Sequence, residues 1–387
     1  MAGNLKERIL FISHDATTTG APIVLLNFLE WLNKEGRYEL CIFLKHGGDL
    51  ENKFQNIAPT YAPVIKTRLQ RLFGKIKLKL NPKVEQFEMP LPLLKQSFDL
   101  IYINTVVCLD LVPYLKDKFN CPVICHVHEN DFTIKYFYPE FVKKSNLDVV
   151  DHFIAVSRNT LDNLVTEYQI NSEKISLVYG FIPIKTITEP TVSTELVKNE
   201  LNISDEFIVG GCGLTTWRKG IDLFVQLALK LDKLRSDNNI KLIWVGNISH
   251  EFISQFNYET KRLNIPDKII FTGKKVDPQN YFQLFDVFAL TSREDPFPLV
   301  ALEAAALNKP ILCFNDAGGM PEIIENGKNG VIVPYADVKQ MAEQIIQLMD
   351  NNALKTEIGK NAGKLVQNFD VTIAGKQIVK VIEQLIN

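Results

Sequence analysis

Short runs of β-branched and aromatic residues alternate along the chain with longer stretches in which apolar residues recur every three or four positions. The short runs predict strands at RILFIS (8–13), YELCIFL (38–44), DLIYIN (99–104), PVICHV (122–127), HFIAVS (152–157) and KISLVY (174–179). The pattern then restarts with FIVGGCG (207–213), IKLIWVG (240–246), IIFTG (269–273), DVFALTS (286–292), PILCF (310–314) and GVIVP (330–334). Helical stretches lie between, among them APIVLLNFLEWLNKEG and GIDLFVQLALKLDKLRS. Strands that are apolar throughout are covered on both faces, and helices between them make a parallel sheet. Two such series predict an α/β protein of two doubly wound domains. The polar, threonine-rich stretch IKTITEPTVSTELVKNELNIS (184–204) marks the change, dividing the chain into residues 1–184 and 185–369.

A length of 387 residues agrees with two cores rather than one. A hydrophobic share of 46% and a charged share of 23% are those of a globular protein. The net charge of -2 gives no bulk attraction to nucleic acid, so no nucleic-acid partner is expected. Six scattered cysteines without a CxxC pair suit reduced thiols and a cytoplasmic setting. The N-terminal apolar run is too short for a signal peptide, and no window is long enough to span a membrane. One segment is strongly basic: IKTRLQRLFGKIKLKLNPK (65–83) carries seven basic residues and no acid, with Leu69, Leu72, Phe73 and Ile76 at helical spacing. It reads either as a membrane-surface contact or as a solvated helix or loop.

In open α/β sheets ligands bind beyond the carboxyl ends of the strands, and two such domains enclose a cleft between them. Two stretches at strand ends carry candidate chemistry. In GCGLTTWRKGIDLFVQLA (211–228), Arg218 and Lys219 stand just before a helix whose free N–H groups favour an anion. That pair is either a diphosphate clamp or an ordinary basic loop; neither a P-loop nor GxGxxG is present. In TSREDPFPLVALEAAALNKP (291–310), Asp295 before Pro296 reads as a helix-capping acid. Glu303, set among Leu299, Val300, Ala301, Leu302 and three alanines, needs either ligand hydroxyls or a basic side chain, because an unpaired buried charge is costly. His126 and His128 in CHVHE are read as facing opposite sides of a strand, one functional and the other structural. No Asp-x-Asp, His-x3-His or His-Glu-x2-His spacing occurs, so neither a metal nor a cofactor is expected.

The combination of WRKGID, DVFALTSREDPFPLVALEA and AGGMPEIIENGKNGVIVP resembles the retaining glycosyltransferases of family 4, which have the GT-B fold. HDATTTGAPIVLLNFL, CHVHE and IAVSRNTLDNL extend the resemblance more loosely into the N-terminal half. It implies an acceptor-side N-terminal domain, a donor-binding C-terminal domain, and a last helix (370–387) that packs back on the first. The family's Glu-x7-Glu signature falls on Asp295 and Glu303. Glu303 would accept hydrogen bonds from the nucleotide ribose, and Asp295 would sit near the donor sugar. Backbone N–H groups around Phe297, Leu299 and Val300 would face sugar and phosphate. Arg218 and Lys219 would hold the diphosphate and stabilise it as a leaving group. His128 would lie near the sugar, and Gly20 would admit the diphosphate close to the backbone. The implied partners are a nucleotide-diphosphate sugar, uridine by family frequency, and a carbohydrate or lipid-linked glycan acceptor. Cell-surface glycan or glycolipid assembly would be the setting, in the cytoplasm or peripherally on the membrane.

Three departures stand out: Asp295 replaces the usual Glu, DPFP replaces a glycine-flanked turn, and Leu214 replaces a frequent arginine. They leave two rivals open, a nucleotide-sugar epimerase or hydrolase on the same fold and a catalytically degenerate sugar-nucleotide binder. A dehydrogenase is disfavoured by the missing dinucleotide glycine fingerprint.

Overall fold

A computed structural model describes residues 6–63, 89–235, 239–265 and 268–386. The basic segment 65–83 lies outside the described residues. Two parallel sheets form the frame. The first holds β1 (Arg8–Ser13), β2 (Glu39–Leu44), β3 (Thr60–Tyr61), β4 (Leu100–Asn104), β5 (Val123–Val127), β6 (His152–Ala155) and β7 (Ile175–Leu177), in the order β3-β2-β1-β4-β5-β6-β7. The second holds β8 (Phe207–Cys212), β9 (Ile240–Val245), β10 (Ile269–Phe271), β11 (Val287–Leu290), β12 (Ile311–Phe314) and β13 (Val331–Val333), in the order β10-β9-β8-β11-β12-β13. Both are doubly wound, and in each the strand order reverses beside the first strand of its series, the switch point where such sheets bind ligands.

The reason for the continuous apolar runs is visible in β1. Ile9 and Phe11 enter one core, Leu10 and Ile12 another, and all four are fully buried. The core holding Ile9 and Phe11 continues through the seam into Phe285, Phe288 and Leu302 of the second lobe. The two lobes therefore share one apolar mass on that side. The two-residue β3 was not legible in the sequence: its residues are only half-buried and too few to show a period.

Helix α1 (Gly20–Glu35) covers the first sheet on one side, and the last helix, α2 (Val371–Ile386), lies against it. The chain crosses between lobes twice, and the crossings are tied together. Ile182 donates its N–H to the Phe369 carbonyl at 3.1 Å, and Val371 donates to the Ile182 carbonyl at 3.0 Å. Asp370 Oδ2 accepts from the Ile184 N–H at 3.1 Å. Close helix contact depends on Gly375, where an added Cβ would stand 2.4 Å from the Trp31 ring. Gly375→Leu is expected to lower stability by about 1–3 kcal/mol through overpacking, read as a reduced midpoint in urea unfolding. Among the described residues no helix is long and apolar enough to cross a membrane.

Candidate functional site

Three further helices complete the frame: α3 (Arg158–Thr166), α4 (Ile221–Leu234) and α5 (Leu299–Ala306). The site begins where β8 ends. A 3-10 turn, Trp217–Lys219, leads into α4 through Gly220, whose φ of 65° and 2.0 Å Cβ approach to the Thr291 carbonyl oxygen leave room for no other residue. This fold-back brings Lys219 Nζ to 2.5 Å from Asp295 Oδ2 and Arg218 Nη1 to 3.3 Å from Asp295 Oδ1. Ser292 Oγ donates to the same carboxylate at 3.3 Å. Burial opposes ionisation of Asp295, but the Lys219 and Arg218 charges overcome it and hold its pKa below the ordinary carboxylate range.

Asp295 is therefore not the helix cap that the sequence suggested. Pro298 occupies that position, and Asp295 spends both oxygens on the two cations. Its backbone is clamped as well: its N–H donates to the Ala317 carbonyl at 2.8 Å and its carbonyl accepts from the Gly319 N–H at 3.1 Å. Gly318 makes this possible, since a Cβ there would stand 1.8 Å from the Asp295 carbonyl oxygen and its φ is 118°.

Glu303 sits on α5, the short alanine-rich helix that follows this loop, and is 9% exposed. Its Oε2 is buried with no hydrogen-bond partner, and burial raises its pKa to about 7. The expectation of a structural ion pair as its alternative partner is thus not met; the carboxylate lies near the end of β8, where burial and the Glu303 charge raise the Cys212 thiol. Leu299 and Val300 begin the same helix, so their N–H groups are first-turn donors that no helical carbonyl satisfies. Phe297 turns its ring to Tyr179 at 5.2 Å and Phe369 at 5.6 Å, packing the loop into the seam. Leu214 is 45% exposed at the rim.

Across the cleft, Gly20 is the first residue of α1 rather than a loop residue, and a Cβ there would meet nothing within 4 Å. His128, at the end of β5, hydrogen-bonds Asn104 Oδ1 at 2.9 Å, while Asn104 Nδ2 donates to the Ala21 carbonyl at 2.9 Å. Because the amide nitrogen is spent on Ala21, its oxygen faces the histidine, and His128 carries its proton on Nε2. Burial, helped by His126 and His14, keeps His128 neutral far below its usual pKa. The reading that His126 and His128 face opposite sides is corrected: alternate residues of a strand share a face, and the two rings lie 4.2 Å apart. His126 is held through Nδ1 by the Tyr102 hydroxyl at 2.7 Å, and burial lowers its pKa to about 3.

Sequence reasoning missed several groups that hold the site. Thr105 has φ 104°, a strained conformation for a β-branched residue, and donates its hydroxyl proton to Glu129 Oε1. Glu129 Oε2 accepts the Val106 and His128 N–H groups at 3.3 and 3.1 Å. Two acids reach across the seam from the second lobe. Glu294 accepts from the Phe132 N–H at 3.1 Å and the Thr133 hydroxyl at 2.9 Å. Glu322 accepts the first two N–H groups of α3, Arg158 at 2.8 Å and Asn159 at 2.7 Å, while Ser157 caps the third from within the lobe. Glu322→Ala is expected to destabilise the closed pair by about 1 kcal/mol and to enlarge the radius of gyration in small-angle scattering. An unchanged radius with only a lower melting point would show that the contact does not hold the lobes together.

The comparisons agree with this architecture. The model of "Glycosyltransferase Family 4" matches residues 18–186, and that of "Glycosyl transferases group 1" matches residues 193–365. The capsular polysaccharide biosynthesis glycosyltransferase CapM of Staphylococcus aureus is 27% identical over 239 residues, 60% of this chain and 61% of that protein. The alpha-galactosylglucosyldiacylglycerol synthase of Streptococcus pneumoniae is 29% identical over 252 residues, 62% of this chain and 64% of that protein. Each match thus spans under two thirds of the relative's length. The crystal structure of HepE from Anabaena in complex with UDP and glucose superposes with a TM-score of 0.81 at 20% identity, covering 98% of this chain and 100% of that one. With one family model on each lobe and the GT-B fold throughout, the chain belongs to the group 1, family 4-type glycosyltransferases.

Proposed function

We propose that the protein is a retaining glycosyltransferase that moves a sugar from a UDP-sugar to an acceptor hydroxyl in cell-surface glycan or glycolipid assembly. The observation that carries this reading is the pairing of an unpartnered buried carboxylate, Glu303, with two cations gathered at a strand end, Lys219 and Arg218. Glu303 suits ribose hydroxyls, and the cations suit a diphosphate. The UDP-bound neighbour and the two biosynthetic relatives support the donor and the setting.

In this mechanism the acceptor oxygen attacks the anomeric carbon on the face that the diphosphate leaves. The new glycosidic bond forms as the sugar–phosphate bond breaks, and the acceptor proton passes to the departing phosphate oxygen. Lys219 and Arg218 neutralise the charge that develops there, a role that needs no metal and acts through positioned charge rather than a covalent intermediate. Neutral His128, its Nε2–H given to Asn104, keeps the sugar-side wall polar without adding a charge. Leu299 and Val300 N–H groups face sugar and phosphate.

The test measures melting temperature with UDP, UDP-glucose, UDP-galactose and UDP-N-acetylglucosamine, with and without chelator. A ligand at ~100 times its dissociation constant adds ~2.7 kcal/mol. Stabilisation by one donor, undiminished by chelator, followed by transfer with α-configuration kept in the product by NMR, is expected. Stabilisation without transfer to any acceptor would leave a sugar-nucleotide binder, and loss of stabilisation on chelation would overturn metal independence.

A further inference from the structure

A cavity of about 490 Å³ opens on the seam beside this site. Small-molecule sites run ~300–1,000 Å³. Its lining adjoins the candidate site along the chain: Asn130 stands two residues beyond His128, Trp217 precedes Arg218, and Glu294 precedes Asp295. Its floor is aromatic. Trp217 of the second lobe lies 4.9 Å from Phe132 of the first, ring centroid to centroid, and Phe132 continues to Tyr136 at 4.6 Å. Trp217 is 56% exposed and Tyr136 72% exposed, so the platform faces outward although large aromatic side chains normally seek burial.

The remaining lining is amide and acid. Asn159 and Asn163 come from α3, and Asp131, Glu294 and Asp316 outnumber the cation Arg293. Arg293 is already engaged, bidentate on Asp222 at 2.8 and 2.6 Å with its guanidinium 5.2 Å over the Trp217 ring. Asp131 gives Oδ2 to Lys135 at 2.9 Å, while its Oδ1 is buried without a partner. Ring faces flanked by amides and carboxylates match the apolar C–H face and hydroxyl edge of a pyranose. The acidic excess disfavours phosphorylated or carboxylated sugars and anionic lipid surfaces.

Resting on the glycosyltransferase reading, we infer that this cavity is the acceptor subsite, and that it takes a neutral pyranoside stacked on Trp217 and Phe132. Both lobes build it, so it exists in this form only when they are closed.

Trp217 makes the test direct. The protein has three tryptophans; Trp244 is 1% exposed and Trp31 is partly buried against Gly375, so the difference in quenching between parent and Trp217→Phe reports Trp217. The full-length protein, with and without UDP, is titrated with maltose, cellobiose and lactose, and with glucose 1-phosphate as the anionic probe. A saturable fluorescence change with a neutral disaccharide, and none with the phosphate, is expected. Trp217→Ala then weakens disaccharide binding, read by saturation-transfer NMR, about tenfold, equivalent to ~1.4 kcal/mol. Trp217→Phe restores most of it, and UDP binding is unchanged in both.

UDP binding with no saturable response to any neutral disaccharide overturns the acceptor subsite and leaves the donor reading intact. Absence of UDP binding with saccharide binding retained does the reverse. Preferential binding of glucose 1-phosphate, or of phosphatidylcholine–phosphatidylglycerol vesicles lost in Trp217→Ala, also overturns the inference, the latter in favour of a membrane contact.

Discussion

Glu303→Gln is expected to stabilise the ligand-free protein at alkaline pH and at the same time to cripple nucleotide binding. The two effects share one cause, the buried carboxylate that has no partner on Oε2 and a pKa of about 7. Between the ordinary value of 4.5 and about 7, the folded state keeps a proton that the unfolded chain has released. Stability of the parent protein therefore falls as pH rises through that window and levels off above it. Glutamine carries no charge to bury, so the variant loses this decline, a difference on the order of 3 kcal/mol above pH 7.

Under the proposed function, ribose hydroxyls would reverse the balance: by donating to the ionised carboxylate they would draw its pKa down and release a proton on binding. UDP affinity should accordingly climb as pH is raised through about 7 and then flatten. Glutamine accepts less well and loses the charge, and hydrogen bonds to charged groups are worth ~1.5–3 kcal/mol, a loss of ~10–100-fold. Calorimetric titration of UDP in two buffers of different ionisation enthalpy measures affinity and proton release together. Equal affinity in parent and variant, with no pH slope, would falsify the assignment of Glu303 to the nucleotide.

Lys219→Ala should lower kcat by ~10²–10³, the scale set by removing one preorganised group that meets developing charge. Lys219 is held 2.5 Å from Asp295 before any ligand arrives, and Arg218 shares that carboxylate at 3.3 Å. Asp295 thus sets the position of both cations, and its shorter side chain relative to the family's glutamate fits this arrangement. Loss of Lys219 leaves Asp295 buried beside Arg218 alone, so its pKa rises. Lys219→Arg, which restores the charge with a different shape, should recover part of kcat. If Lys219→Ala raises KM and leaves kcat untouched, the lysine serves ground-state binding alone.

The frame was legible because of how it buries its strands. β1 gives Ile9 and Phe11 to one core and Leu10 and Ile12 to another, so an unbroken apolar run was the correct sign of a parallel sheet. Arg218, Lys219, Asp295 and Glu303 were legible as candidates because each breaks the local pattern at a strand end or inside an apolar helix. Their pairing was not. Spacing cannot say that a residue before Pro296 turns away from its own helix toward cations 76 and 77 residues earlier. The same limit hid Glu294 and Glu322, whose partners are 162 and 164 residues away. Asn104 and Thr105 were hidden differently: one looks like the polar end of any strand, and the strain of the other is a backbone angle that no residue type announces. The histidine faces were misread through the strand period itself, which places alternate residues together.

The return of α2 to the first lobe has a consequence for biogenesis. That lobe receives its outer layer from residues 371–386, whereas its sheet is complete at Leu177 and the chain leaves it at Ile182. On a ribosome adding ~5–20 residues per second, the 189 residues from Ile182 to Val371 separate those events by ~10–40 s. Throughout that interval the apolar groove beside α1 that Gly375 and Ile378 will fill is uncovered, while the second lobe is being made and can fold. Of the two lobes, the one synthesised first is thus the last to be finished, and a nascent chain stalled before α2 emerges would expose the Trp31 surface to chaperones and proteases.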